Sequence, residues 1–258
     1  MTKRDAILAQ SHESTCLPAR STALIRALQD PDVELMDVAK RIELAPSLTS
    51  MVRKLANSAY FAAPQSIGSL RQAVGRLGTN TVFRLVLASV ASSALSKRIA
   101  GYDLDATCLF DHSIAVAAGC ESLSELLGSP GTSNAFTAGL LHDIGKLVMG
   151  SYVAVDAVAI MAMAFEEGTS FDQVERRILG VDHAEVGAVI LAAWNLPDDI
   201  VNAVRWHHQP DQASSASNLL DLVHASDQLC MMAGFGAGAD GSAYRPDEAV
   251  VKRLGMTT

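Results

Sequence analysis

Aromatic residues make up only 5% of the 258-residue chain, and no stretch sustains the apolar–polar alternation that marks a half-buried strand. With 49% hydrophobic content drawn largely from Ala, Leu and Val, that scarcity points away from sandwiches and barrels and toward packed helices. Cysteine is scarce as well. Cys16, Cys108, Cys120 and Cys230 lie far apart, form no CxxC pair, and belong to a chain long enough to build a core without disulfides. They read as reduced thiols. The N-terminus has no long apolar h-region, and the apolar stretch from Val82 to Leu95 is interrupted by Arg84 and several serines. A soluble, cytoplasmic protein without a membrane partner is expected. There is no GxSxG elbow, no GxxxxGK[ST] loop, no GxGxxG after a strand and no HExxH, which sets aside hydrolase elbows, P-loop and Rossmann nucleotide sites and zincins. No period of 20–50 residues repeats, so a solenoid is excluded.

Positive charge is what the second half lacks. Residues 1–105 carry 13 Lys and Arg against 9 Asp and Glu, a balance of +4, whereas residues 106–258 carry 7 against 19, a balance of −12. A phosphate backbone is repelled by such a surface, so a nucleic-acid partner is not expected for the C-terminal half. In the first half Arg53, Lys54, Arg71, Arg76, Arg84, Lys97 and Arg98 could face an acidic partner or simply solvent.

Apolar residues at helical spacing organise what remains. After a polar lead over residues 1–15, expected to be without fixed structure, the stripes Leu24–Ile25–Leu28, Leu35–Val38–Ala39–Ile42 and Leu48–Met51–Val52–Leu55–Ala56 each mark a short helix. Pro31, Pro46 and Pro64 punctuate them, and the short turns predict antiparallel neighbours. A further helix ends near Gly78 and another runs from about 81 to 96. A boundary falls in residues 97–107. Helices follow near 107–127, 133–150, 152–167, 170–178, 183–194, 197–207 and 215–233, and the Gly/Ala-rich tail over 234–258 is expected to be mobile. The fold expected is all-α with two helical subdomains.

Six of the seven histidines fall between 112 and 224. His112, the pair His142–Asp143, His183, the pair His207–His208 and Asp227 all lie beside apolar helical runs. Imidazole nitrogens and carboxylate oxygens suit divalent metals, and helical proteins build such sites from inward-facing ligands on several helices. A single histidine in such a setting is more often a hydrogen-bonded core or surface group, and His12 and His224 are read that way. For the other five the recurrence argues for a shared site, with inherited geometry that binds no metal as the competing reading. Lys146 lies three residues after Asp143, where on a helix it either stabilises a substrate phosphate or pairs with Asp143.

His112, His142–Asp143 and the distant Asp227 together resemble the pattern of the HD superfamily of metal-dependent phosphohydrolases. His183 followed by Gly187, with His207–His208, is similar to the extended ligand set of its cyclic-di-GMP phosphodiesterase branch, yet "HHQPDQASSAS" stands where that branch carries Gly-Tyr-Pro. The first half, above all "LANSAYF" at 55–61, resembles the HDOD (HD-related output domain) family, and this resemblance covers residues 16–212 and continues weakly to about 230. It implies a helical subdomain over 16–98 and an HD-like bundle over 106–230.

What the resemblance further implies is a bacterial signal-transduction module, acting through contact with an unknown signalling protein or by sensing a nucleotide or cyclic dinucleotide. An HD-type metal site of His112, His142, Asp143, His183, His207, His208 and Asp227 would then be retained, for one or two ions of Fe, Mn, Mg or Zn. The alternative is a phosphohydrolase acting on a nucleotide or cyclic dinucleotide, with Asp143 and Lys146 as catalytic groups. Binding such a ligand without turnover is the third reading.

Overall fold

The computed structural model describes residues 2–14, 19–30, 32–56, 67–95, 98–105, 107–129, 132–235, 238 and 247–256. Among them there is no strand ladder, only an isolated bridge between Ile99 and Leu104, so the all-α expectation holds. The chain divides into two compact units, one of Leu17–Ser93 and one of Met1–Cys16 with Ala94–Thr258.

In the first of these, α2 (Ala19–Gln29), α3 (Leu35–Glu43), α4 (Pro46–Ala56) and α5 (Leu70–Leu95) bury the stripes the periodicity marked. Leu24, Ile25, Leu28, Val38, Ala39, Ile42, Leu48, Val52 and Ala56 are all in the core. Leu35, the first residue of α3, is 41% exposed, and the side chains of Met51 and Leu55 lie outside those described. Gly78 takes φ 76° and ψ 162°, a conformation that L side chains rarely adopt, and so breaks α5 where the sequence placed a helix end. Most of the "LANSAYF" stretch, residues 57–61, lies outside the described residues.

The other unit begins with a correction. Residues 3–14, expected as an unstructured lead, form α1 (Lys3–Ser14), which packs on helices far along the chain. Ile7 is fully buried, Arg4 donates to both carboxylate oxygens of Glu185 at 2.7 and 3.1 Å, and the Tyr152 hydroxyl donates to Gln10 at 2.6 Å. One buried apolar residue and a clasped guanidinium hold a helix whose composition is mostly polar. The segment then resumes with a 3-10 turn (Ala100–Tyr102) and the helices α6 (Cys108–Leu127), α7 (Ala135–Leu141), α8 (Lys146–Glu167), α9 (Phe171–Leu179), α10 (His183–Ala193), α11 (Asp198–Trp206), α12 (Asn218–Met232) and α13 (Glu248–Arg253).

The tail is corrected in the same way. Val250 on α13 is fully buried and Arg253 grips Asp221 of α12 through two hydrogen bonds of 2.8 Å, so residues 248–253 are docked. Residues 236–237 and 239–246 lie outside the described residues.

The expected helix over 133–150 is broken, and the break shapes the site. After Leu141 the backbone tightens into i→i+3 hydrogen bonds, Ile144 N–H to Leu141 and Lys146 N–H to Asp143, before α8 starts. Gly145 sits so close to α10 that a Cβ there would lie 1.9 Å from the His183 carbonyl oxygen. Among the described residues, the span Ala135–Glu167 across this turn is long and apolar enough to cross a bilayer, with a mean hydropathy of 1.9 over its most apolar window. It is bent at the turn and carries three buried polar side chains there.

Candidate metal centre

Five helices and two turns bring the seven candidate ligands together. His112 lies one turn into α6, His142 and Asp143 occupy the tight turn after α7, and His183 is the first residue of α10. His207 and His208 follow α11, and Asp227 lies midway along α12. The polar side chains converge because each sits at a helix end or on the buried face of its helix. Their side chains are between 0 and 3% exposed.

The ligand atoms fall into two groups, each with all its atoms within 4.8 Å of one another: Asp143, His183, His207 and His208 in one, and His112, His142 and Asp227 in the other. Asp143 faces both. Its Oδ1 lies 3.4 Å from His183 Nε2 and 3.8 Å from His207 Nε2, while its Oδ2 lies 3.4 Å from His142 Nε2 and 3.8 Å from His112 Nε2. Asp227 adds Oδ1 at 3.1 Å from His112 Nε2 and Oδ2 at 3.9 Å from His208 Nδ1.

Outer contacts set the histidine tautomers. Nδ1 of His142 lies 2.8 Å from the Gly139 carbonyl, Nδ1 of His207 lies 2.7 Å from the Val204 carbonyl, and Nδ1 of His112 lies 3.1 Å from the Phe235 carbonyl. A carbonyl only accepts, so each Nδ1 carries the proton and each Nε2 offers a lone pair toward the cluster when the ring is neutral. His183 uses the Glu175 carboxylate instead, at 2.7 Å. His224 stands apart: both its nitrogens meet backbone, the His207 carbonyl and the Asp247 amide, as its exclusion from the ligand set implied. Of His12 only its place in α1 is described.

Whether these residues suit a cation is answered by atoms left without partners. His142 Nε2, Asp143 Oδ1, His207 Nε2 and Asp227 Oδ2 are buried and make no hydrogen bond, although buried acceptors are normally paired. Two imidazole nitrogens and two carboxylate oxygens turned into one small volume are a donor set suited to a divalent cation. The nitrogen and carboxylate mixture fits Fe, Mn or Zn, with Mg less suited because it prefers all-oxygen shells.

Protonation points the same way. Burial opposes charge on His142 and His183, but Asp143 and Asp227 raise the first to about 10, and Glu175, with a smaller contribution from Asp143, raises the second to about 9. Burial also works against Asp143 and Asp227 as anions, yet Lys146 and His142 for the one, and His112 and His142 for the other, hold both carboxyls well below their ordinary range. His207 is driven to about 3 by burial and by the charge on His142, and His208 is lowered by burial and its histidine neighbours. Without a cation, Lys146 and the imidazoles of His142 and His183 thus supply the positive charge that favours the two buried carboxylates. A bound cation would replace the imidazole protons.

Lys146 opens α8 with Nζ 2.7 Å from Asp143 Oδ2 and 5.4 Å from the centre of the Tyr102 ring, and its side chain is 3% exposed. The ion pair expected of it is present although the helix that was to place it is broken. Sequence reasoning missed Glu175 and Tyr102, both fully buried beside the cluster. A signal for Glu175 existed: it occupies a position of the apolar stripe Phe171, Val174, Ile178 on α9, where a carboxylate needs a buried partner. Tyr102 lay in the segment assigned as a boundary and carried none.

Residues 15–210 match the family described as HDOD domain. A curated protein of Treponema pallidum (strain Nichols), itself uncharacterised, is 26% identical over 193 residues, covering 74% of this chain and 37% of that protein, so the chain spans little more than a third of its relative. Among solved structures, a phosphohydrolase candidate from Shewanella amazonensis SB2B is similar with a TM-score of 0.72 and 27% identity, over 97% of this chain and 93% of that one. A candidate signal transduction protein from Marinobacter aquaeolei VT8 shares the fold with a TM-score of 0.71 and 24% identity, over 94% of this chain and 54% of that one.

Proposed function

Starting from the fact that the chain belongs to the HDOD domain family, we propose that it is a regulatory module of signal transduction that holds divalent metal in a closed cluster and acts by contact with a signalling partner. The observation that carries this reading is the pairing of a full ligand set with near-complete burial. Seven metal-type side chains converge, yet none is more than 3% exposed, so an incoming nucleotide would find no ligand atom within reach of solvent. A cluster so enclosed is suited to fixing the packing of α6, α7, α10, α11 and α12 around it. Metal occupancy would then set the stability and the surface presented to a partner.

In this reading His112, His142 and Asp227 would hold one ion, and Asp143, His183, His207 and His208 would hold another. Bound metal would supply Lewis acidity and balance the two carboxylates. Lys146 keeps Asp143 ionised and oriented by its 2.7 Å contact.

The second reading is a phosphohydrolase acting on a nucleotide or cyclic dinucleotide, favoured by Lys146 at the cluster and by the 27% identical Shewanella structure. A nucleotide sensed without turnover would occupy the same place. An assay with a chromogenic phosphodiester and a panel of cyclic dinucleotides, in the presence of Mn, Fe, Zn or Mg, separates the readings. The regulatory account expects metal-bound protein without turnover above background. Turnover that disappears in Asp143→Asn protein would replace it with the phosphohydrolase.

A further inference from the structure

We propose that Glu175 is a positioning residue for one half of the metal cluster, acting through His183, and that Tyr102 holds Glu175 in place; this rests on the metal-holding reading above. The need for such a residue follows from where His183 sits. His142 and His207 each lie just beyond the C-terminal end of a helix, so a carbonyl three residues back is at hand for Nδ1. His183 opens α10, where no carbonyl of its own helix precedes it and its backbone N–H has no intrahelical acceptor. Another element must supply both acceptors.

Glu175 of α9 does so with a single oxygen. Its Oε2 accepts from His183 Nδ1 at 2.7 Å and from the His183 backbone N–H at 3.0 Å, fixing the ring and its main chain together. That leaves Nε2 turned to the cluster, 3.4 Å from Asp143 Oδ1 and 2.9 Å from His208 Nε2. The other oxygen, Oε1, accepts from the Tyr102 hydroxyl. Tyr102 belongs to the 3-10 turn that leads into α6, its ring meets the His183 ring edge-on at 6.1 Å, and Lys146 Nζ lies over its face. Tyr102, Glu175 and His183 are all fully buried, so the three donors to Glu175 have no water to replace them. A carboxylate that binds the far nitrogen of a metal-binding imidazole fixes its tautomer and strengthens it as a donor. Only the group of Asp143, His183, His207 and His208 has such a charged support; the His112 and His142 rings rest on neutral carbonyls.

The test uses the full chain and Co2+ as the probe, titrated against a chelator while the visible absorption of the bound ion is recorded. In Glu175→Gln protein the amide still accepts from Nδ1 but carries no charge, and one ion is expected to bind about tenfold to a hundredfold more weakly, with a changed absorption band, while the other is unaffected. Tyr102→Phe, which removes one oxygen, is expected to weaken the same ion by a smaller factor and carries the test if the first variant fails to fold. Wild-type affinity and spectrum at both ions in the folded variants would overturn the proposal, reducing Glu175 to a cap on α10. So would equal weakening of both ions. Failure of the wild-type chain to take up any cobalt would overturn the metal-holding reading, and this inference with it.

Discussion

The unit of Leu17–Ser93 and the unit of Met1–Cys16 with Ala94–Thr258 are both helical, but among the described residues only the second buries polar side chains. The first packs Leu, Ile, Val and Ala from four helices and nothing else. The second buries His112, His142, Asp143, Lys146, Glu175, His183, His207 and Asp227 around one cluster, with further carboxylates elsewhere in its interior. Apolar packing is the cheaper way to stabilise a helical bundle, since ionised groups lose hydration on burial that their pairing only partly restores. Buried charge on this scale is what the proposed metal-holding role of the second unit would account for.

Removing the carboxylate that lies between the two ligand groups breaks the contrast most severely. Asp143→Ala takes away a carboxylate partner of buried Lys146, a ligand of one group and the oxygen that faces the other, so metal retention should be lost and the metal-free protein destabilised by about 3–5 kcal/mol in a denaturant melt. A melt like the wild type would mean the cluster contributes nothing to folding. In the apolar unit, Ile42→Ala should cost about 2–5 kcal/mol through lost packing on α3 while leaving metal content unchanged. Loss of metal in that variant would show that the two cores are not separable.

Smaller effects are expected at α1. Arg4→Ala should weaken its docking by about 1 kcal/mol, read as faster proteolysis near the N-terminus, because Arg176 and Arg205 still contact Glu185. The Glu185 carboxyl is held below its usual value of 4.5, chiefly by the Arg4 hydrogen bond. Its folded value is the lower one, so its contribution is complete above pH 4.5 and is lost as the pH falls through that lower value. Protease protection of α1 should follow the same direction, and protection that rises on acidification would exclude the Arg4–Glu185 clasp as its source.

The legible parts of the fold were those carried by periodicity. The stripes on α2, α3 and α4 and the break at Gly78 follow from spacing and from the freedom of one glycine. The clustering of the seven polar residues was legible because a His-Asp pair, a His-His pair and further histidines recur beside apolar helical runs. The helix α1 was not, since its anchor is a long-range clasp between Arg4 and Glu185 that no local pattern records. The turn at 142–145 also escaped, because it is set by the contact of Gly145 with the His183 carbonyl, 38 residues onward. Tyr102 was hidden for the same reason: its role is defined by Glu175, on another helix.

The central claim is that the buried cluster holds metal, and the direct test is elemental analysis of the full chain purified without chelator, compared with Asp143→Ala protein handled identically. The account predicts about one to two equivalents of a transition metal in the wild type and almost none in the variant. Less than about a tenth of an equivalent in the wild type, unchanged after incubation with Fe, Mn or Zn, would contradict it and leave a relic of an ancestral centre.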